Sequence, residues 1–246
     1  MSAQMVVLIG IDCATQPRKV GLALGRWDGR TVRVLACCTG NAKASPLAII
    51  NGWLQQHGNA LLALDAPLGW PQPLGDVLNR HQAGAGMGYS SNRLFRRHTD
   101  DAIQQRFGKR PLEVGANFIS RTAVAALELL EQLRQSTGDP MPLAWSPEDR
   151  PALAAIEVYP AATRLAHGSA GRGGSIEGLE HRLDYLALNG ELPTSADAID
   201  ALVCLVAAAD FLEGRACPPD DLNLAKTEGW IWTAESTEPG AGGEHC

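Results

Sequence analysis

Two apolar segments of the sequence end in an aspartate, and these two residues are the first candidates for chemistry. Asp12 closes the run at residues 5–12, and Asp65 stands near the end of the run at residues 60–66. Continuous apolar runs are typical of strands buried on both faces, and ligands of open α/β sheets bind at the carboxyl edge of the strands. If the two strands are parallel neighbours, the carboxylates lie side by side. They then repel each other unless one is protonated or both bind a cation such as Mg²⁺ or Mn²⁺.

A second acidic pair lies near the start of a predicted helix at residues 194–214. Asp197 and Asp200 are three residues apart, which places both carboxylates on one helical face, one turn from each other. Asp197 stands in the first turn, where the helix dipole by itself favours an acid. Asp200 lies deeper, beside the apolar stretch 201–209, so the dipole explains it less well. For Asp12 and Asp65, the alternative is that each caps a loop or the following helix.

A basic stretch at residues 93–110 is the candidate phosphate-binding region. It holds six lysines and arginines against Asp100 and Asp101. The guanidinium fork binds phosphate oxygens in pairs, so a nucleic-acid backbone or a nucleotide would suit it. The alternative is a solvated basic face. The phosphate-binding candidates are Arg93, Arg96 and Arg97, and Thr99 and Asp100 are site residues of second rank.

One further acid, Glu157, lies inside an apolar strand predicted at residues 153–159. A charged side chain there is costly unless it is paired or exposed. We expect Glu157 to be either an additional ligand or the partner of an arginine such as Arg96. It is therefore a site residue of second rank.

The elements that must position these side chains form an alternating pattern. Apolar and alternating runs predict strands at 5–12, 19–27, 31–38, 60–66 and 153–159, and helical spacing predicts helices at 45–57, 114–135 and 194–214. Residues 228–233 are predicted as a short strand or a packed arm. This order suits an α/β fold with a mixed five-stranded sheet flanked by helices. Residues 1–233 are predicted to form one domain with an inserted loop or helical cap at about 71–111, and residues 234–246 a flexible tail.

Composition limits the class of protein. The chain has 246 residues, 45% of them hydrophobic, and a net charge of −6. These values exclude a disordered chain and a general nucleic-acid coat, which needs a widely basic surface. No apolar run is long enough to span a bilayer, and the first ten residues lack the basic start of a secretory signal. The six cysteines form no C-x-x-C pair, so we expect buried thiols in a cytoplasmic protein.

Six motifs carry a resemblance to a known family; in chain order they are IGIDCAT, LALDAPLGWP, RLFRRHTDD, AIEVYPAA, DAIDALVCLVAA and EGWIW. In this combination they resemble the domain-of-unknown-function family 429, whose members are described as predicted RNase H-like nucleases. The resemblance covers about residues 6–232. The helix with the D-A-x-D-A pattern also resembles the last helix of RuvC-type resolvases. Ribonuclease H itself has an acid on its first helix, and residues 45–58 contain none, so the RuvC pattern fits better.

The resemblance implies an RNase H-like fold and hydrolysis of phosphodiesters with two Mg²⁺ or Mn²⁺ ions. The acids carried over as metal ligands and catalytic residues are Asp12, Asp65, Asp197 and Asp200. RuvC-type enzymes usually have glutamate where this chain has Asp65, and the shorter side chain makes the metal position there less certain. DNA, RNA, a branched junction and a nucleotide are all compatible substrates.

Two other functions stay open at this point. One is a non-catalytic module that binds nucleic acid or protein on the same fold. The other is an ATP-dependent phosphotransferase, because GIDCAT loosely resembles the phosphate loop of actin-like and sugar kinases. Those enzymes need two such halves, and this chain has no internal repeat. The sequence does not fix the oligomeric state, and a homodimer is compatible with it.

Overall fold

The computed structural model of the protein describes residues 6–41, 43–115, 117–169, 173–188 and 190–236. Within these ranges the chain forms a six-stranded mixed sheet with the strand order β5-β4-β1-β2-β3-β6. The strands are β1 (Val6–Asp12), β2 (Gly21–Trp27), β3 (Val32–Thr39), β4 (Ala60–Asp65), β5 (Leu153–Glu157) and β6 (Leu183–Asp184). The α-helices are α1 (Pro46–Gln56), α2 (Gln72–Leu78), α3 (Ser91–Phe95), α4 (His98–Phe107), α5 (Asn117–Thr137), α6 (Pro160–Ala166), α7 (Ala196–Leu212) and α8 (Leu222–Glu228).

The sheet combines antiparallel hairpins with parallel crossovers. β1 is antiparallel to β2 and parallel to β4, and β4 is parallel to β5. The expected α/β class with a mixed sheet is therefore confirmed, but the expected number of five strands is wrong. The additional strand, β6, has two residues and pairs with the edge of β3. A strand this short has no alternation that a sequence pattern could show.

Alternation along the strands divides the core between the two faces of the sheet. Val7, Ile9 and Ile11 of β1 pack in one cluster with buried residues of α1 and α5. Leu8, from the opposite face of the same strand, packs in a second cluster with α7. α7 is apolar around nearly its whole circumference and is buried from residue 201 to residue 211. A helix with that composition is stable only inside a core.

Two glycines let α7 lie directly against the sheet. A Cβ atom at Gly10 of β1 would stand 2.0 Å from the carbonyl oxygen of Ala201, and one at Gly21 of β2 would stand 1.9 Å from that of Asp197. Any other residue at either position would therefore push the helix away from the strands. These contacts fix the height of the first turns of α7 above β1 and β2.

The helices predicted from apolar spacing are present as α1, α5 and α7. Outside the predicted insertion, the sequence analysis missed α6 and α8. α6 begins at Pro160, directly after the strand predicted at residues 153–159, and proline is favourable in the first turn of a helix. α8 follows Asp221, whose side chain caps the helix by accepting from the amide of Leu224. Residues 228–233 form a packed arm: Trp230 and Trp232 are buried, and a single bridge links this arm to β5.

The predicted insertion at about 71–111 contains α2, α3 and α4. That residues 1–233 form one domain with this segment as an insertion stays a prediction. Of the predicted tail at 234–246, residues 237–246 lie outside the described residues.

The cysteines match the expectation of buried thiols only in part. Cys13, Cys37, Cys38 and Cys204 are free thiols; Cys204 is buried, as expected, and the other three are partly exposed. Cys217 is disulfide-bonded, so the expectation of a thiol is wrong for this residue. Among the helices in the described part of the chain, none has both the length and the apolar character needed to cross a bilayer.

Candidate functional site

Asp12 and Asp65 lie side by side at the carboxyl edge of the sheet. The parallel register of β1 and β4 pairs the two residues directly. Leu8 and Leu61, four residues before each aspartate, pack in the α7 cluster, so alternation places both carboxylates on the face that α7 covers. Both side chains are half-buried, and neither accepts a hydrogen bond from any residue that the structure describes. The pair therefore brings two like-charged groups together without a hydrogen-bond donor from the described residues.

Burial and mutual repulsion raise the pKa values of this pair. The pKa of Asp12 rises to about 8, first because burial disfavours its charged form and then because Asp65, Asp200 and Asp197 carry like charge. The pKa of Asp65 also rises to about 8, through burial and then through Asp200 and Glu157. The Arg164 guanidinium acts in the opposite direction on both pKa values. The centre therefore favours a bound proton, or a cation in its place.

Asp197 and Asp200 lie near these carboxylates, but each already forms an ion pair within the protein. The carboxylate of Asp200 accepts from the buried Arg164 guanidinium and, at 2.9 Å, from the amide of Gly174. Asp197 forms a longer, exposed ion pair with Lys19 at 3.8 Å. In the described part of the chain, no group of three or more histidine, cysteine or acidic side chains is arranged to hold a metal ion. The joint role of all four aspartates thus stays a prediction.

Arg164 is a site residue that the sequence analysis missed. It lies in α6, is 1% exposed, and donates from Nε to the carbonyl of Ser175 at 2.7 Å as well as to Asp200. The sequence does indicate such a residue, because an arginine inside the apolar segment AATRLA needs a buried anion. Which anion it meets depends on the packing of α6 against α7, which the sequence pattern does not show.

Glu157 is paired with Arg97 rather than with Arg96. The Arg97 guanidinium donates to Glu157 at 2.8 Å and to Asp100 at 2.9 Å, and all three side chains are buried. Glu157 also accepts from the amide of Leu68 at 2.9 Å. Burial raises the pKa of Glu157, and the charge of Arg97 opposes that rise. For Arg97 the structure favours this internal ion pair over the phosphate-binding role predicted from sequence.

The other residues of second rank are held by local structure. Arg96 pairs with Glu113 at 2.8 Å, and the hydroxyl of Thr99 accepts from the amide of Ile231 at 2.8 Å. Asp100 closes a capping box at the start of α4 in addition to its ion pair. Arg93 is exposed. Arg93 and Arg96 share a cavity of 200 Å³ whose wall also contains Asp101 and Glu228. Asp12 and Asp65 are not part of its wall; they line a different cavity.

The raised pKa values predict that the metal-free protein is more stable when one carboxylate is removed. Between the usual aspartate pKa of 3.8 and the folded value of about 8, the folded state binds more protons than the unfolded state. Stability must therefore fall as the pH rises through this window. At pH 8 in EDTA, Asp65→Asn should raise the melting temperature by at least about 3 °C, which corresponds to about 1 kcal/mol in a chain of this size.

The control for this prediction is Asp76→Asn, since Asp76 is exposed on α2 and its substitution should leave the melting temperature almost unchanged. Thermal denaturation followed by circular dichroism from pH 5 to pH 9 measures both variants. A lower melting temperature for Asp65→Asn across the whole pH range would contradict the charge repulsion and the cost of burial that we assign to this pair.

Fold and site together define an α/β protein with an acidic centre at the carboxyl edge of a mixed sheet. The profile of the family described as "Protein of unknown function (DUF429)" matches residues 10–223. The chain belongs to this family, which confirms the resemblance carried by the six motifs. A search of the curated proteins found no match. Among solved structures, the Thermus thermophilus RuvC structure is similar with 14% identity and a TM-score of 0.37, over 87% of this chain and 99% of that one. This likeness is too distant to assign an activity.

Proposed function

We propose that this protein is a metal-dependent phosphodiesterase of the RNase H-like type that hydrolyses nucleic-acid or nucleotide phosphodiesters. The observation that carries the proposal is the pair Asp12 and Asp65: two aligned, half-buried carboxylates at the carboxyl edge of the sheet, to which no described residue donates a hydrogen bond. A structural role would normally supply such buried acids with a hydrogen-bond donor or a direct ion-pair partner. Glu157, by contrast, has both.

The donor set suits a hard divalent cation. Asp12 and Asp65 offer only oxygen ligands, which favour Mg²⁺ or Mn²⁺ over softer metals. A bound ion of this kind would lower the pKa of a water molecule and neutralise charge on the phosphate oxygens. We propose Asp197 and Asp200 as the further ligands, which would complete a site for two ions. Their present partners, Lys19 and Arg164, would then release them in part.

The chain's own residues would prepare this centre for an anionic substrate. The Arg164 guanidinium is a fixed, buried positive charge beside the acids, and it keeps Asp200 oriented through a direct ion pair. In the absence of a cation, the raised pKa values mean that Asp12 and Asp65 retain a proton at neutral pH. The proton leaves when a cation binds, so binding should be tighter at higher pH.

Contacts to the rest of the substrate are proposed for the basic stretch. Arg93 is exposed and can reach a phosphate backbone, whereas Arg96 is 19% exposed and would have to exchange its ion pair with Glu113 for a phosphate. The predicted cytoplasmic location and a homodimer are compatible with this function and stay predictions. Neither is needed for the chemistry, because the Asp12–Asp65 pair is complete within one chain.

The test is a cleavage assay on the full-length protein after removal of metals with EDTA. The substrates are bis(p-nitrophenyl) phosphate and labelled single-stranded and duplex DNA and RNA, each with Mg²⁺, Mn²⁺, Ca²⁺ or no added ion. We expect cleavage of at least one substrate with Mg²⁺ or Mn²⁺ and none in EDTA. Electron paramagnetic resonance of Mn²⁺ should show bound ion that competes with Mg²⁺.

Other results would favour the alternatives. Tight binding of nucleic acid without cleavage under any ion would favour the non-catalytic module. Hydrolysis of ATP without cleavage of a diester would favour a phosphotransferase.

A further inference from the structure

We propose that the cavity beside Asp12 and Asp65 receives one nucleobase of the substrate, so that the protein acts on nucleotides whose base is unpaired. The inference rests on the proposed function, because it is the phosphodiester chemistry of these carboxylates that places a nucleotide at this position. The inference adds recognition of the nucleobase, which the acidic centre does not specify because it acts on the phosphodiester.

The cavity joins the acidic pair to an apolar chamber. Its volume is 240 Å³, and it lies between the carboxyl ends of β1, β4 and β5, the buried arm after α8, and the start of α5. Asp12 and Asp65 form part of its wall, together with the buried ion pair of Arg97 and Glu157. Most of the remaining wall is apolar or aromatic and consists of Pro111, Leu112, Ile119, Val158, Tyr159 and Ile231.

The size of the chamber favours one small ring system. At about 30 Å³ per water molecule, its volume corresponds to about eight waters. Pockets for drug-sized ligands begin at roughly 300 Å³, so a volume of 240 Å³ suits one small ring system better than a larger compound. A sugar has hydroxyls on all sides and gains little from apolar walls, whereas a nucleobase has two apolar faces and a polar edge.

Tyr159 offers an aromatic ring for the face of a base and a hydroxyl for its polar edge. Its ring is half-buried in the cavity wall, and its hydroxyl has no hydrogen bond to the described residues. The backbone of Tyr159 is fixed, because its carbonyl accepts from the amide of Thr163 at the start of α6. The ring can therefore contact the face of a base, and the hydroxyl can bond to the base edge, without rearrangement of the chain.

The wall of the cavity includes an exposed apolar side chain. Leu112 is 66% exposed although it is part of this wall. A ligand that enters the cavity can therefore cover apolar surface that is otherwise open to water. A base that is paired and stacked in a duplex cannot enter such a chamber, since entry requires it to leave the stack. Single strands and mononucleotide esters meet this condition directly.

The test compares two diesters with the same leaving group: thymidine 5′-(p-nitrophenyl phosphate) and methyl p-nitrophenyl phosphate, which lacks a base. With Mn²⁺, we expect kcat/KM to favour the thymidine ester by about tenfold to a hundredfold, the range that base–aromatic contacts supply. Ile119→Trp fills the chamber and should bring this ratio towards one. Val124→Trp is the matched control, because Val124 is exposed on the same helix and is not part of the cavity wall. It should leave the ratio unchanged.

A second variant covers the case that Ile119→Trp does not fold. Tyr159→Leu keeps an apolar side chain but removes the ring and the hydroxyl, and it should also reduce the ratio at least fivefold. Equal kcat/KM for both esters in the wild-type protein, or a full ratio in a folded Ile119→Trp or Tyr159→Leu variant, overturns the nucleobase site.

Failure of the proposed function is distinguishable from failure of this inference. If neither ester is cleaved, the chamber is tested by binding alone, and the phosphodiesterase proposal fails only when bis(p-nitrophenyl) phosphate, DNA and RNA are not cleaved either. Saturation-transfer NMR with thymidine should then show contact with the wild-type protein and with Val124→Trp, and weaker contact with Ile119→Trp. No transfer to thymidine in the wild-type protein overturns the site in that case.

Discussion

Replacement of Asp12 by asparagine should reduce Mn²⁺-dependent cleavage by roughly a thousandfold. Asparagine keeps the size of the side chain but removes the anionic oxygen that a divalent cation needs. The loss of several kcal/mol of charge stabilisation at the phosphate corresponds to this factor, at 1.36 kcal/mol for each tenfold change in rate. Asp12 is half-buried and accepts no hydrogen bond within the described ranges, so the substitution removes no hydrogen bond between described residues.

The loss of activity should therefore occur without a loss of stability. The apparent affinity for Mn²⁺, measured by electron paramagnetic resonance, should decrease in Asp12→Asn, while the melting temperature in EDTA stays the same or rises. Asp76→Asn, on the exposed face of α2, is the control for both measurements. Activity within tenfold of the wild-type value in Asp12→Asn would place the reaction at another site.

Replacement of Arg97 by methionine should destabilise the protein by about 3–5 kcal/mol. Arg97 is the counter-charge of both Asp100 and Glu157, and all three side chains are at most 3% exposed. Methionine fills much of the volume but leaves two carboxylates buried without a cation, which is the costly way to break a buried ion pair. Urea denaturation followed by tryptophan fluorescence measures the change in the free energy of unfolding.

The neighbouring arginine provides a sharp control for this prediction. Arg96 forms one ion pair with Glu113 that is partly open to solvent, so Arg96→Met should cost no more than about 1 kcal/mol. Addition of Glu157→Gln to Arg97→Met should recover part of the lost stability, because it removes one of the uncompensated charges. A cost below about 1 kcal/mol for Arg97→Met alone would show that this network is not the buried, fully charged cluster that the geometry indicates.

The parts of this fold and site that follow from sequence are those encoded by local patterns. The apolar runs before Asp12 and Asp65 predict two buried strands, and the parallel pairing of these strands aligns the two acids. The spacing of Asp197 and Asp200 and the apolar stretch after them predict α7. In each case the signal lies within a few residues of the feature.

The parts that do not follow depend on contacts between distant segments. Glu157 and Arg97 are 60 positions apart, and nothing near either residue indicates which of several arginines is the partner. Arg164 meets Asp200 only because α6 packs against α7. The chamber beside the acidic pair is formed by several elements from different parts of the chain, so no single segment predicts it.

The glycines under α7 have a consequence for how related chains should be compared. Gly10 and Gly21 bring the main chain of the helix into direct contact with the main chain of the sheet, so the gap between Asp12 and the α7 acids is set by residues that bear no functional group. A homologue could keep every carboxylate and still lose their spacing through one methyl group. An inventory of acidic residues is therefore insufficient to recognise a competent relative, and the two glycines belong among the diagnostic positions.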